Sequence, residues 1–209
     1  MSTTTVSRAA SAGLTGGLLW TFFPAVASVA DMNDARFGTP AFVAVAASYW
    51  IFGVLPPILL LVGLRGLRRA LGADAGRVAN AGIVLSAVGL GAMALGMGIE
   101  VASMSAGGGQ VSLGYVLFMV GWLVLVVGGV LLGIHLVRRR TDGLCRAAGL
   151  LLALALPVGI GITVLGSAVA PSVDAWAWAA NVVPTGIAWV LLGASLRPHR
   201  RPATFAPAS

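Results

Sequence analysis

Four residues could do chemistry inside an apolar chain such as this one: Glu100, His135, Asn181 and Thr185. Glu100 is the one acidic residue within a long apolar stretch, where a carboxylate must take up a proton or a cation or face other helices. It follows Ala92 and Gly96 at steps of four, which places it on a helix face turned to another helix rather than to lipid. It also lies near the end of its stretch, within reach of the interface. His135 stands one turn before Arg138 and continues the seven-residue spacing of Gly114, Gly121 and Gly128. An imidazole there can relay protons or ligate a metal or haem. Its sole histidine partner is His199 near the chain end, so a bis-histidine haem site is not expected. Asn181 and Thr185 are one helical turn apart below Ala177. They make a polar stripe suited to an interhelical hydrogen bond or to the lining of a cavity. Ser48 and Tyr49 are read in the same way.

What is missing narrows the chemistry further. The 13 basic residues are all arginine, which removes a lysine Schiff base or lysine nucleophile. There is no HExxH zinc motif, no GxSxG elbow, no phosphate-binding P-loop, and no pair of carboxylates within an apolar stretch. The one cysteine, Cys145, excludes an internal disulfide and a cysteine-built zinc or iron–sulfur site. It lies in a short basic connection where palmitoylation can occur, though the reading as an ordinary small residue stands ahead. No catalytic residue, cofactor or metal site is expected.

The elements that must position these residues follow from the solvent the chain demands. Hydrophobic residues make up 58% of 209 and charged residues 9%, with a mean hydropathy of +0.98. Soluble domains carry about 25% charged residues. The net charge of +7 would suggest nucleic acid in a soluble protein, but here the arginines cluster at the ends of apolar runs. They read as topology signals and contacts to lipid headgroups, and no nucleic-acid partner is expected.

Crossing the hydrocarbon core takes about 20 apolar residues. The spacing predicts an all-α membrane bundle, a single domain over 1–196, with six spans at about 12–30, 41–64, 79–103, 112–137, 147–169 and 175–196. Residues 197–209 form a basic tail of disordered composition. Arg8, the group from Arg65 to Arg77, the group from Arg138 to Arg146, and Arg197, Arg200 and Arg201 all fall on one side of such a bundle. Arg36 alone falls on the other. Positive loops stay cytoplasmic, so both termini are expected there. In an alternative reading, Arg8 and the small residues from Ala25 to Ala30 form a cleaved secretory signal. That leaves five spans. The alanine-, glycine- and arginine-rich composition without lysine suggests a GC-rich prokaryotic gene and hence the plasma membrane.

Short connections imply antiparallel neighbours. Small residues should let their backbones approach: Gly13, Gly17 and Thr21; Gly114, Gly121 and Gly128; Gly129 with Gly133; and Gly149, Ala153, Pro157 and Gly161. Pro56-Pro57 and Pro157 fall within the second span of each three-helix half. Paired broken helices of that kind build sites in inverted-repeat transporters. Trp176 and Trp178 are expected at an interface, and Trp50 and Trp122 deeper, as packing residues.

Three functions follow. The first is a non-enzymatic membrane protein acting through helix packing with lipids, a partner protein or copies of itself. The second is a small transporter or channel whose path is lined by Glu100 and the Asn181–Thr185 stripe. The third is a membrane redox or enzyme subunit using His135.

Overall fold

The computed structural model describes residues 3–29, 36–72, 75–139, 142–170 and 175–197, with side chains except at 3–6, 175 and 181. The acidic connection around Asp31 and Asp34, the segment Pro171–Asp174, and the tail from 198 lie outside the described residues.

All regular structure among the described residues is helical. Helix α1 is Thr3–Val29, α2 is Pro40–Tyr49, α3 is Leu55–Leu71, α4 is Gly76–Ser105, α5 is Ser112–Arg138, α6 is Gly143–Ala153, α7 is Ala155–Val169 and α8 is Ala175–Ser195. A π-helical segment, Trp50–Val54, joins α2 to α3 without interruption. Five helical stretches are long and apolar enough to cross a membrane, and α6 with α7 makes a sixth if the bent pair counts as one. Helices α1, α3 and α4 run several residues beyond the expected spans, because a helix need not end where its apolar stretch does.

Both second spans depart from a plain helix, and proline explains each break. Pro56 and Pro57 have no N–H for the carbonyls of Phe52 and Gly53 four residues back. The backbone accommodates this by widening, and the Leu55 N–H donates to Trp50 O, five residues back. Pro157 likewise leaves the Ala153 carbonyl without its helical donor, and its ring crowds that carbonyl. The helix stops at Leu154 and resumes with Val158 N–H donating to Leu154 O at 2.9 Å, bent by 68°. The expected span over 147–169, with Pro157 inside it, is therefore two helices. The stripe Gly149, Ala153, Pro157, Gly161 is divided: Gly149 packs on α5, while nothing lies within 4 Å of a methyl group placed on Gly161.

The helices close into a ring. In order round it, α1 packs on α3, α3 on α4, α4 on α5, α5 on α6, α6 on α8, and α8 back on α1, with α7 against α8. Trp20, Leu60, Leu90, Leu132, Val182, Trp189 and others fill a continuous core. One end of the ring gathers most of the arginines. There Arg139 Nη1 donates to Leu71 O at 3.4 Å, joining α5 to the end of α3, and Cys145 Sγ lies 3.3 Å from Ser195 Oγ, joining α6 to α8. Local caps set the starts of α2 and α6. Thr39 Oγ1 accepts from Phe42 N–H, and Asp142 accepts from Cys145 N–H.

Candidate functional site

Helices α4 and α5 lie nearly backbone to backbone along a seam of glycines. Gly82, Gly89 and Gly96 recur every seven residues on α4 and meet Gly128, Gly121 and Gly114 on α5. A methyl group on Gly89 would stand 2.6 Å from both Gly121 O and Leu125 N, and one on Gly96 would stand 2.5 Å from Gly114 O. Side chains cannot fit at such a distance, so glycine is required there. Each α5 glycine in turn meets α4 one turn further on: Gly128 lies by Ser86 N and Oγ, Gly121 by Met93 N and the Ala92 side chain, and Gly114 by Glu100 N and Cγ.

Glu100 therefore fills the last layer of a packing series, whose deeper layers hold the Ser86 and Ala92 side chains. It is 7% exposed, and its Oε1 is buried with no hydrogen-bond partner. It lies five residues before the end of α4, about 7 Å along the axis, at the end of the ring away from the arginine cluster. Its expected stripe holds: Ala92 and Gly96 also face α5, with Ala92 Cβ beside Gly121.

Just below it the ring is bridged by aromatic side chains. Phe118, one turn deeper on α5 than Gly114, packs against Trp178 of α8 at 5.6 Å between ring centres. Trp178 meets Phe23 of α1 edge to face at 5.5 Å, and Phe23 meets Tyr49 of α2 at 5.9 Å. Met97 and Phe23 both crowd Gly53 in the π segment. Trp178 is half-buried and bridges α1 and α5. Trp176 instead donates to Ala170 O at 3.0 Å. Trp50, expected in packing, is 41% exposed, because the widened backbone turns it outward while Gly53 and Val54 point into the ring.

The remaining candidates lie apart from Glu100. His135 continues the α5 series, so the register sets it opposite Ala79 at the arginine end. It is half-buried with an unpartnered Nε2. Counted along α5 from Gly114, it lies 21 residues or about 31 Å from Glu100. Thr185 is buried on α8, in line with Val182 and Trp189. Asn181 stands one turn before it, but its side chain lies outside the described residues. Ser48 Oγ donates to its own helix, to Val45 O at 2.7 Å. No three of His, Cys, Asp and Glu come together among the described residues. Reading the sequence missed the Gly82–Gly89–Gly96 spacing that faces α5, and missed the aromatic bridge, whose members come from four separate helices.

The fold defines a class: an all-helical protein with five or six apolar helices able to span a membrane. The chain matches no known protein family, no curated protein and no solved structure.

Proposed function

We propose that the chain is a small six-span carrier of a prokaryotic plasma membrane, with both termini cytoplasmic, in which Glu100 binds a proton or a monovalent cation. The observation that carries this reading is Glu100, a buried residue one of whose carboxyl oxygens, Oε1, is shut off from solvent with no hydrogen-bond donor. Leaving a buried acceptor without a partner costs about 1–3 kcal/mol. A purely structural role would favour an apolar residue in this layer, as Ala92 fills the one beside Gly121. An exchangeable cation or proton supplies the missing partner and gives the carboxyl a use. The proline-broken second spans support the same reading, since carriers move about such breaks. With the arginine end in the cytoplasm, Glu100 lies in the outer half of the membrane.

The reading as a packing or partner protein keeps one specific support. Gly91 and Gly98, seven apart on α4, have open space where a side chain would go. They leave room for the close approach of a second copy. The other glycine faces, along α4–α5 and α1–α8, are taken up within the chain.

The test is flux into proteoliposomes of protons, inorganic monovalent cations and a small organic cation, comparing wild type with Glu100→Gln. Flux in the wild type that falls at least tenfold in Glu100→Gln is the expected result. No flux of any of these, or equal flux through both proteins, removes the carrier and leaves the self-associating protein ahead.

A further inference from the structure

We infer that the chain consists of two inverted three-helix halves whose unequal breaks hold the ring in one of two exchangeable states, tight at the arginine end and loose at the other. The inference goes beyond the carrier reading and does not depend on what Glu100 binds.

The repeat is visible in contacts rather than in residue types. On the α4–α5 seam, Gly89 lies over Gly121 O and Leu125 N, and Gly96 over Gly114 O and Phe118 N. On the α8–α1 seam, Gly186 lies over Gly17 O and Thr21 N, and Gly193 over Ala10 O and Leu14 N. In every case the glycine meets a carbonyl and the amide four residues after it. One constant shift along the chain carries Gly89 and Gly96 onto Gly186 and Gly193, and another carries Gly121 and Gly114 onto Gly17 and Ala10. The reverse contacts agree: Gly121 meets Gly89 O and Met93 N, and Gly17 meets Gly186 O and Val190 N. The ring order is unchanged when α1, α2–α3 and α4 are exchanged with α5, α6–α7 and α8. An odd number of helices per half makes the halves inverted. The second span of each is broken at the same place in its half, just before proline.

The two breaks differ in degree, and the difference has a direction. In the first half the piece after the break, α3, is packed tightly on α1 and α4. Eight of its 17 residues are buried, against Phe42 and Ala46 alone in α2. In the second half the piece before the break, α6, is held between α5 and α8, while α7 bends away and rests mainly on α8. Its Leu156, Ile160, Val164 and Leu165 are all about half exposed or more. Because the halves are inverted, both tight pieces, α3 and α6, occupy the arginine end, and both loose pieces, α2 and α7, occupy the Glu100 end.

Two copies of one architecture can trade conformations at little net cost, since what one half gains the other gives up. The exchanged state draws α2 and α7 in and loosens α3 and α6, hinging at Trp50–Val54 and at Leu154. The paired seams α4–α5 and α8–α1 move as units because their backbones interlock.

The experiment measures spin-label distances in proteoliposomes, in a Cys145→Ser background. One label pair replaces the exposed residues Val43 of α2 and Leu165 of α7. The other replaces Ala70 of α3 and Leu144 of α6. A 15-residue helix is about 22 Å long, so removing half of the 68° bend moves the far end of α7 by about 10 Å or more. The expected result is two populations in each pair, with the first pair shortening as the second lengthens when Pro157→Ala shifts the balance. A single fixed distance in both pairs under every condition, or both pairs opening together, overturns the inference. Opposed shifts without any cation flux uphold it and defeat the carrier. Glu100-dependent flux with fixed distances does the reverse.

Discussion

The side chain of Glu100 lies in the space that Gly114 leaves empty: a methyl group on Gly114 would stand 2.8 Å from Glu100 Cγ. The two residues form one layer of a seam that repeats every seven residues. The carboxyl therefore sits where ordinary packing would put an apolar side chain. Its burial follows from helix register, and its lack of a partner follows from a neighbour that has no side chain.

Filling that space should expel the carboxyl. Gly114→Leu cannot be absorbed by Glu100 alone, since the added group also meets Gly96 O at 2.8 Å. Overpacking of this kind costs about 1–3 kcal/mol. The expected outcome is a lower unfolding temperature in detergent together with loss of Glu100-dependent flux. Unchanged flux would separate the carboxyl's function from its position on the seam.

Removing the carboxyl should have the opposite effect on stability. In Glu100→Leu the buried, unsatisfied oxygen disappears and an apolar side chain fills the layer beside Gly114. Such replacements are neutral or stabilising by about 1–4 kcal/mol. Thermal unfolding of Glu100→Leu should thus occur at or above the wild-type temperature, with flux abolished. A clear fall in unfolding temperature would mean that the carboxyl has a structural partner and is not held in reserve for a ligand.

Much of this was legible in the sequence, and the rest was not for physical reasons. Apolar stretches and arginine placement gave the helical bundle and close limits for α5 and α8, since lipid constrains composition strongly. Glu100 could be placed on an interhelical face because its stripe lies within one helix. The identity of the facing residue, Gly114, depends on the register between two helices, which no single stretch encodes. The break at Leu154 was foreshadowed by Pro157, but its 68° size depends on what α7 finds to pack against. The equivalence of Gly89 with Gly186 escaped because the halves share contact geometry, with Leu125 in one place and Thr21 in the other.

That equivalence predicts matched costs. Gly89→Ala drives a methyl group into the backbone at Gly121 O and Leu125 N, and Gly186→Ala drives one into the Thr21 hydroxyl and Gly17 O. Both should lower the unfolding temperature by similar amounts, roughly 2–10 °C for a loss of about 1–3 kcal/mol. Gly91→Ala lies on the same helix but meets open space, so it should be neutral or raise stability by up to about 1 kcal/mol. If Gly91→Ala instead destabilises the protein, or breaks an oligomer on a sizing column, that face is occupied by a second copy.

The bend in the second half should respond to a single atom group. Pro157→Ala restores an N–H that can donate to Ala153 O and removes the ring that crowds that carbonyl. The substitution lifts a penalty of roughly 3 kcal/mol from the continuous helix through Leu154. The expected outcome is stronger protection of the amides from Leu154 to Val158 against hydrogen exchange, with the Val43–Leu165 label distance shortened. If the halves are coupled through the α4–α5 and α8–α1 seams, straightening α6–α7 must also loosen α3, which lies on the far side of the ring. The Ala70–Leu144 distance should then lengthen in the same variant, although neither label touches the mutated site. A change confined to α7, with α3 left in place, would show that the two breaks act independently and that no exchange between halves takes place.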